Sequence, residues 1–405
     1  MRIKDDRIIN ITDDVKWIGI LDFDIRTFDI VMTTEYGTTY NSYFINGKKK
    51  ALIEVAKEKF SDTYFAKLRS LTDPAEISYI ILDHTEPDHS GSLRLLLEAA
   101  PEATVVGSGN AIKYLEEMLN IPFRSMVVKD GDTLDLGGKT LRFIAAPNLH
   151  WPDSIYTWLE EDRILFTCDS FGAHYCTREM TDDLTDDYLK AFKYYFDVIL
   201  KPYSKFLIKA IEKIKPLDIR FICPGHGPVL DKNLTRIVEL SEKYANEYLQ
   251  KNAGVSGKNI LVAYVSAYGY TGQAAETIAQ GIREAGNFTV KVVDIEHIDL
   301  NELDGLLTMS SALMLGSPTI NQNTLLPVYK LFALINPIRD RGKFAGAFGS
   351  FGWSGEAPGI ILDVLKSLKL KIFEETGSFK FRPSGTKEEE LRQFGKRFAE
   401  KFAEG

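Results

Sequence analysis

His84-Thr85-Glu86-Pro87-Asp88-His89 follows the apolar run Tyr79-Ile80-Ile81-Leu82, so four side chains able to bind metal fall within six residues, straight after a strand-like segment. Alternation would send His84, Glu86 and Asp88 broadly one way, with His89 turned back towards a second centre. Charge and imidazole crowded at the end of a buried strand are unfavourable unless cations neutralise them. Two adjacent metal ions are the simplest explanation.

Further groups sit in the same kind of place. His150 lies in Leu149-His150-Trp151-Pro152-Asp153, after a strand expected to end at Ala146. Asp169 follows Ile164-Leu165-Phe166-Thr167-Cys168, and His226 lies in Pro224-Gly225-His226-Gly227, after an apolar run at 219–222. Alone, each would be an ordinary turn histidine or helix-capping aspartate. The chain has only six histidines, however, and four occupy these positions, with a fifth, His174, five residues after Asp169. Such a distribution points to one shared site.

Composition narrows the function. At 405 residues two domains are expected. The net charge of -8, with 57 acidic against 49 basic residues, disfavours a nucleic-acid partner, which demands a basic footprint. No window approaches the roughly 20 apolar residues that span a bilayer, and the N-terminus has no signal-peptide core, so a cytoplasmic protein with no membrane partner is expected. Cys168, Cys176 and Cys223 form no Cys-x-x-Cys pair, so neither a disulfide framework nor a thiolate zinc or iron–sulfur site is suggested.

Strands are expected at 17–25, 39–45, 51–55, 79–82, 104–106, 141–145, 155–159 and 164–168, and helices at 91–100, 111–119, 188–200 and 205–215. Many early strands with few βαβ units favour a sheet-on-sheet sandwich with outer helices over residues 1–250. The acidic run Asp182, Asp183, Asp186, Asp187 reads as a solvated loop or helix start. A polar, glycine-containing stretch at 251–258 reads as a linker. Over 259–405, strands at 259–265, 289–294, 312–316, 343–349 and 371–374 mostly alternate with helices at 272–284, 325–334, 357–368 and 387–402. That pattern argues a doubly wound parallel sheet of the flavodoxin kind.

In such sheets ligands bind beyond the carboxyl ends of the strands. Ser266-Ala267-Tyr268-Gly269-Tyr270-Thr271 precedes a helix, and hydroxyls with glycine at a helix N-terminus suit a phosphate. Pro318-Thr319-Ile320-Asn321 and Ser350-Phe351-Gly352-Trp353-Ser354-Gly355 follow later strands, and Trp353, flanked by glycines, suits stacking on a planar ring. FMN is the expected ligand, because the dinucleotide fingerprint Gly-x-Gly-x-x-Gly is absent.

The first half resembles the metallo-β-lactamase superfamily, whose opening motif is His-x-His-x-Asp-His followed by a later His, a bridging Asp and a final His. Glu86 stands where the second histidine would be, and a carboxylate there suits iron better than zinc. That exchange, the flavodoxin-like second half and the phrase His150-Trp151-Pro152-Asp153-Ser154 together resemble the flavodiiron proteins, or A-type flavoproteins. The resemblance implies an α/β and α+β chain, with a metallo-β-lactamase-like αββα sandwich followed by a flavodoxin-like sheet. It implies His84, Glu86 and His150 on one iron, Asp88, His89 and His226 on the other, and Asp169 bridging. It implies an FMN-dependent di-iron reductase of dioxygen or nitric oxide, fed by a rubredoxin-like donor or a reduced deazaflavin. A head-to-tail homodimer, or a dimer of dimers, would bring the flavin of one protomer to the irons of its partner, near Trp151. His174 and one of Tyr194 and Tyr195 are the expected proton donors.

Overall fold

Ala51 and Ile53 point to one face of the strand Lys50–Ile53 and Leu52 to the other, and all three are fully buried. A strand buried on both sides must lie between two layers, which sets the plan of the N-terminal half. The computed structural model describes residues 7–28, 32–253 and 258–404. The chain divides into two compact units, Met1–Tyr248 and Leu249–Gly405.

In the first unit a seven-stranded sheet runs Ile9–Asn10, Val15–Trp17, Tyr43–Ile45, Lys50–Ile53, Ile77–Ile81, Thr104–Gly107, Arg124–Val127. A five-stranded sheet runs Thr133–Asp135, Thr140–Ala145, Ile155–Leu159, Ile164–Cys168, Phe221–Pro224. Ile53, Ile81 and Val106 of one meet Phe143, Ile155 and Phe166 of the other in a central core. Leu52, Ile80 and Val105 face outwards against Tyr64, Leu96 and Leu115 of the helices Ser61–Leu71, Leu93–Ala99 and Gly109–Leu119. Ile144, Trp158 and Leu165 do the same against Phe192, Ile211 and Ile237 of the helices Asp186–Tyr195, Ser204–Ile214 and Leu234–Ala253. Helix, sheet, sheet, helix is the expected αββα order.

The second unit is an all-parallel sheet in the order Thr289–Asp294, Asn259–Tyr264, Ala312–Gly316, Phe344–Phe351, Lys371–Lys380. Its helices cover both faces. Strand order reverses beside Asn259–Tyr264, and that reversal is where doubly wound sheets open a ligand crevice.

Several expectations change in detail. The segment 17–25 is two short strands, Val15–Trp17 and Ile20–Asp22. They part at Gly19, where a Cβ would lie 2.4 Å from the Tyr40 carbonyl oxygen. The helix Leu300–Met309 went unread, because Asp304 and Gly305 dilute its pattern, although successive parallel strands require such a crossover. Asp182 is not solvated: it is fully buried and accepts from the backbone N–H groups of Asp231 and Asn233 at 3.1 and 2.6 Å. The last helix of the first unit runs on to Ala253, and residues 254–257 of the expected linker lie outside the described residues. Among the described residues no helix is long and apolar enough to cross a membrane.

Candidate functional site

Four loops, each leaving the end of a strand, meet at one edge of the sandwich. The segment 84–89 follows Ile77–Ile81, His150 follows Thr140–Ala145, Asp169 follows Ile164–Cys168 and His226 follows Phe221–Pro224. The backbone there is strained: the non-glycine residues Glu54, Asn148, Cys168 and Phe171 have φ of 57°, 65°, 45° and 67°. Such positions cost on the order of 1–3 kcal/mol each and persist where surrounding structure enforces them. Gly225 permits the closest approach, since a Cβ on it would sit 2.6 Å from His89 Cε1.

The seven groups form two pockets that share Asp169. In the first, Nε2 of His84 and of His150 lie 3.2 and 3.0 Å from Glu86 Oε2, and 3.6 and 3.3 Å from Asp169 Oδ2. In the second, Nε2 of His89 and of His226 lie 3.5 and 3.1 Å from Asp88 Oδ2, and 3.3 and 3.6 Å from Asp169 Oδ1. The two oxygens of Asp169 thus face different pockets. Strict alternation fails at Asp88: Pro87 opens a helical turn, Pro87–Ser90, which swings Asp88 into the second pocket with His89.

The arrangement calls for cations. Both Asp88 oxygens, His89 Nε2 and Asp169 Oδ2 are buried with no hydrogen-bond partner among the described residues, a costly state without a ligand. Burial opposes charge on His89, yet Asp88 and Asp169 lift it to about 10. Burial likewise opposes charge on His150, which Asp169 and Glu86 lift to about 9. Burial pushes Glu86 up, and His150 and His84 outweigh it to hold Glu86 at about 2. Glu86, Asp88 and Asp169 stay anionic, and His84, His89 and His150 hold protons that a metal would displace. Imidazole with carboxylate and no thiolate in the two pockets suits iron.

Outer groups aim these ligands, and sequence reading missed most of them. His226 Nδ1 lies 2.5 Å from the Thr39 carbonyl, and Asn41 holds the turn by donating to the carbonyls of Pro224 and Gly227. Asp153 faces His84, and Glu54 faces His89. Glu54 did leave a signal, an acid inside the apolar run Ala51-Leu52-Ile53-Glu54-Val55-Ala56. Of the expected proton donors, Tyr195 donates to Asp169 Oδ1 at 3.0 Å. Burial, and then Asp169, raise its phenol well above the usual range. His174 packs 5.1 Å from His226 and 4.9 Å from Tyr195 between ring centres, and its Nδ1 lies 2.8 Å from Thr38 Oγ1. Burial and His226 keep it neutral. Tyr194 is turned elsewhere, its hydroxyl accepting from the Thr33 N–H at 3.3 Å. Trp151 stands edge-on to His84 with ring centres 5.1 Å apart.

In the second unit the three expected loops converge through Ser350, whose hydroxyl lies 2.9 Å from that of Thr271 and whose carbonyl accepts from the Thr319 N–H at 2.8 Å. Ser266 Oγ accepts from the Gly272 N–H at 3.3 Å, which pins the first loop at the head of the helix Tyr270–Glu284. Gly269, at φ 82°, has open space where a Cβ would stand. Tyr268 and Trp353 are 80% and 86% exposed. Large rings left in solvent on loops that meet at a helix N-terminus fit a cradle for a flat ring bearing a phosphate. Pro318, Ile320 and Asn321 lie on the middle loop, and Phe351, Gly352, Ser354 and Gly355 surround Trp353 on the third.

The first half, residues 38–227, matches the family model described as ODP family beta lactamase, and residues 262–395 match the flavodoxin model. A flavo-diiron protein of Clostridium acetobutylicum is 41% identical over 96% of this chain and 98% of its own length. The chain belongs to the flavo-diiron family. A type A flavoprotein of Rhodobacter capsulatus is 37% identical over 95% of this chain and 89% of its own length. Among solved flavo-diiron structures, the rubredoxin oxygen:oxidoreductase of Desulfovibrio gigas superposes with a TM-score of 0.71 at 27% identity, covering 98% of this chain and 99% of that one. The Giardia intestinalis protein gives 0.67 at 28% identity, covering 98% of each chain. Membership of the flavo-diiron family makes this chain an oxidoreductase of the di-iron flavin class, with FMN and a non-haem iron pair as its cofactors.

Proposed function

We propose that the protein reduces dioxygen to water, nitric oxide to nitrous oxide, or both, with electrons from a small external donor such as a rubredoxin or a reduced deazaflavin. The observation that carries this reading is Asp169, one carboxylate turned to two pockets that each hold two imidazoles and one further carboxylate. His84, Glu86 and His150 would hold one iron and Asp88, His89 and His226 the other. Ser266 to Thr271, Pro318 to Asn321 and Ser350 to Gly355 would hold FMN, with Trp353 stacked on its ring. When bound, the flavin supplies electrons and the paired irons a place for a diatomic gas to accept them.

The chain's own residues handle geometry and protons. Asp169 fixes the two pockets at one carboxylate's width. Tyr195, held protonated, steadies Asp169 Oδ1 and is a proton source beside it. His174, neutral and packed on Tyr195 and His226, is the next group outward. Glu86 and His150 are partly exposed, which leaves the first pocket reachable from solvent. A head-to-tail homodimer, or a pair of such dimers, would bring a partner's flavin to this opening beside Trp151.

Purified protein should carry about two irons and one FMN per chain. It should consume dioxygen or nitric oxide, measured separately in an anaerobic cell, when reduced rubredoxin is supplied. Zinc in the pockets with ester or lactam hydrolysis would refute the reading, as would FMN with metal-free pockets.

A further inference from the structure

Four of the seven groups ride on the single segment 84–89, and two buried carboxylates outside the seven stand behind it. Glu54 is 2% exposed. Its Oε1 accepts from the backbone N–H groups of Asp83 and His84 at 2.8 and 3.2 Å, and its Oε2 lies 3.7 Å from Nδ1 of His89. Asp153 is fully buried. Its Oδ2 accepts from both the N–H and the hydroxyl of Thr85 at 2.8 Å, and both its oxygens lie 3.3 Å from Nδ1 of His84. An ionised Asp153 only accepts, so Nδ1 of His84 carries the proton and its Nε2 keeps a lone pair for the pocket. Glu54, whose carboxyl burial pushes up to about 8, faces Nδ1 of His89 beyond hydrogen-bond distance, with Cys168 Sγ also 3.7 Å from that nitrogen. Each carboxylate faces the imidazole of one histidine, and the two imidazoles belong to different pockets. Glu54 also holds a left-handed φ of 57° and leaves Oε2 buried without a hydrogen-bond partner, features unexplained by anchoring the loop alone.

On the di-iron reading of the pockets, we propose that Glu54 and Asp153 are positioning residues that govern the two irons separately. Asp153 acts through His84 on the iron of Glu86 and His150. Glu54 acts through His89 on the iron of Asp88 and His226.

Glu54→Gln and Asp153→Asn test this, because an amide has one oxygen and cannot serve both the backbone and the imidazole. Full-length wild type and variants are loaded anaerobically with ferrous ion and challenged with a chelator, and iron per chain is counted. Each variant should keep one tightly held iron and bind the other about 10–100-fold more weakly, with FMN content and far-ultraviolet circular dichroism unchanged. Adding His226→Ala to Glu54→Gln should cost no further tight iron, whereas adding His150→Ala should remove the second. Two tightly held irons in either variant, or loss of the same iron from both, overturns the inference. A wild type that never holds two irons overturns the di-iron reading instead. If a variant fails to fold, nitrogen NMR of zinc-loaded wild type decides: Nδ1 of His84 and His89 should be protonated, and a metal-bound Nδ1 on either refutes the assignment.

Discussion

Asp169→Asn is the sharpest perturbation of the metal centre. The side chain is 2% exposed, and its oxygens face four imidazole nitrogens at 3.3 to 3.6 Å. Asparagine has nearly the same shape but presents one oxygen and one amide, which donates and does not ligate. One pocket therefore loses its shared oxygen, and the centre loses one of its three carboxylates. Losing a direct ligand should weaken that iron by at least the hundredfold that losing an outer partner can cost. By linkage, a hundredfold weaker site forfeits about 2.7 kcal/mol of metal-dependent stabilisation. For a unit of this size that is about 5–11 °C of melting temperature. Differential scanning calorimetry with and without ferrous ion, alongside iron analysis, reads both quantities. The variant should hold about one iron or fewer, and its iron-dependent rise should be smaller by that amount, with flavin content unchanged. A full pair of irons with an undiminished rise would refute the shared-carboxylate reasoning.

Trp353→Ala or Tyr268→Ala should weaken FMN binding about two- to tenfold, the worth of one aromatic contact; flavin fluorescence titration reads it, and an unchanged Kd would remove the stacking assignment. Gly395→Ala should destabilise the flavodoxin-like unit by more than the roughly 1–3 kcal/mol usual for overpacking, since the new Cβ would lie 2.2 Å from the Ile278 carbonyl oxygen; urea denaturation followed by circular dichroism checks it. Asp340 is buried between Arg339 and Lys343 at 2.7 and 2.9 Å, and although burial opposes it, those partners hold its carboxyl below the usual range. A depressed folded value means its stabilisation is present above the unfolded value near about 3.9 and is lost as pH falls through the folded one. Asp340→Asn should therefore cost about 3–5 kcal/mol at neutral pH and progressively less below about pH 4; a pH-independent difference in denaturation midpoint would contradict this.

Period and spacing made most elements legible. The strands 155–159, 164–168 and 312–316, fully buried and bounded by turns, were read to the residue, as was the edge strand 289–294, whose β-branched residues mark it without burial. Helices that read poorly, such as Leu300–Met309, are those whose pattern a glycine and an acid interrupt. Tyr194 and Tyr195 were indistinguishable as neighbours in sequence. Only the helix Asp186–Tyr195 decides which phenol turns to Asp169 and which to Thr33.

From the chain alone came the identity of the seven pocket side chains and the two fold types, since residue type and period are local properties, and the resemblance to a family motif marked Glu86 as standing in a histidine's place. The resemblance implied that Asp88 goes with His89 and that Asp169 is shared. Packing supplied the physical means, in the turn at Pro87 and the placement of one Asp169 oxygen in each pocket, and it alone brought Glu54 and Asp153 behind the histidines. These depend on backbone angles and on strands far apart in sequence meeting at one sheet edge. Local chemistry proposes ligands; which atoms face one another is a property of the closed sandwich.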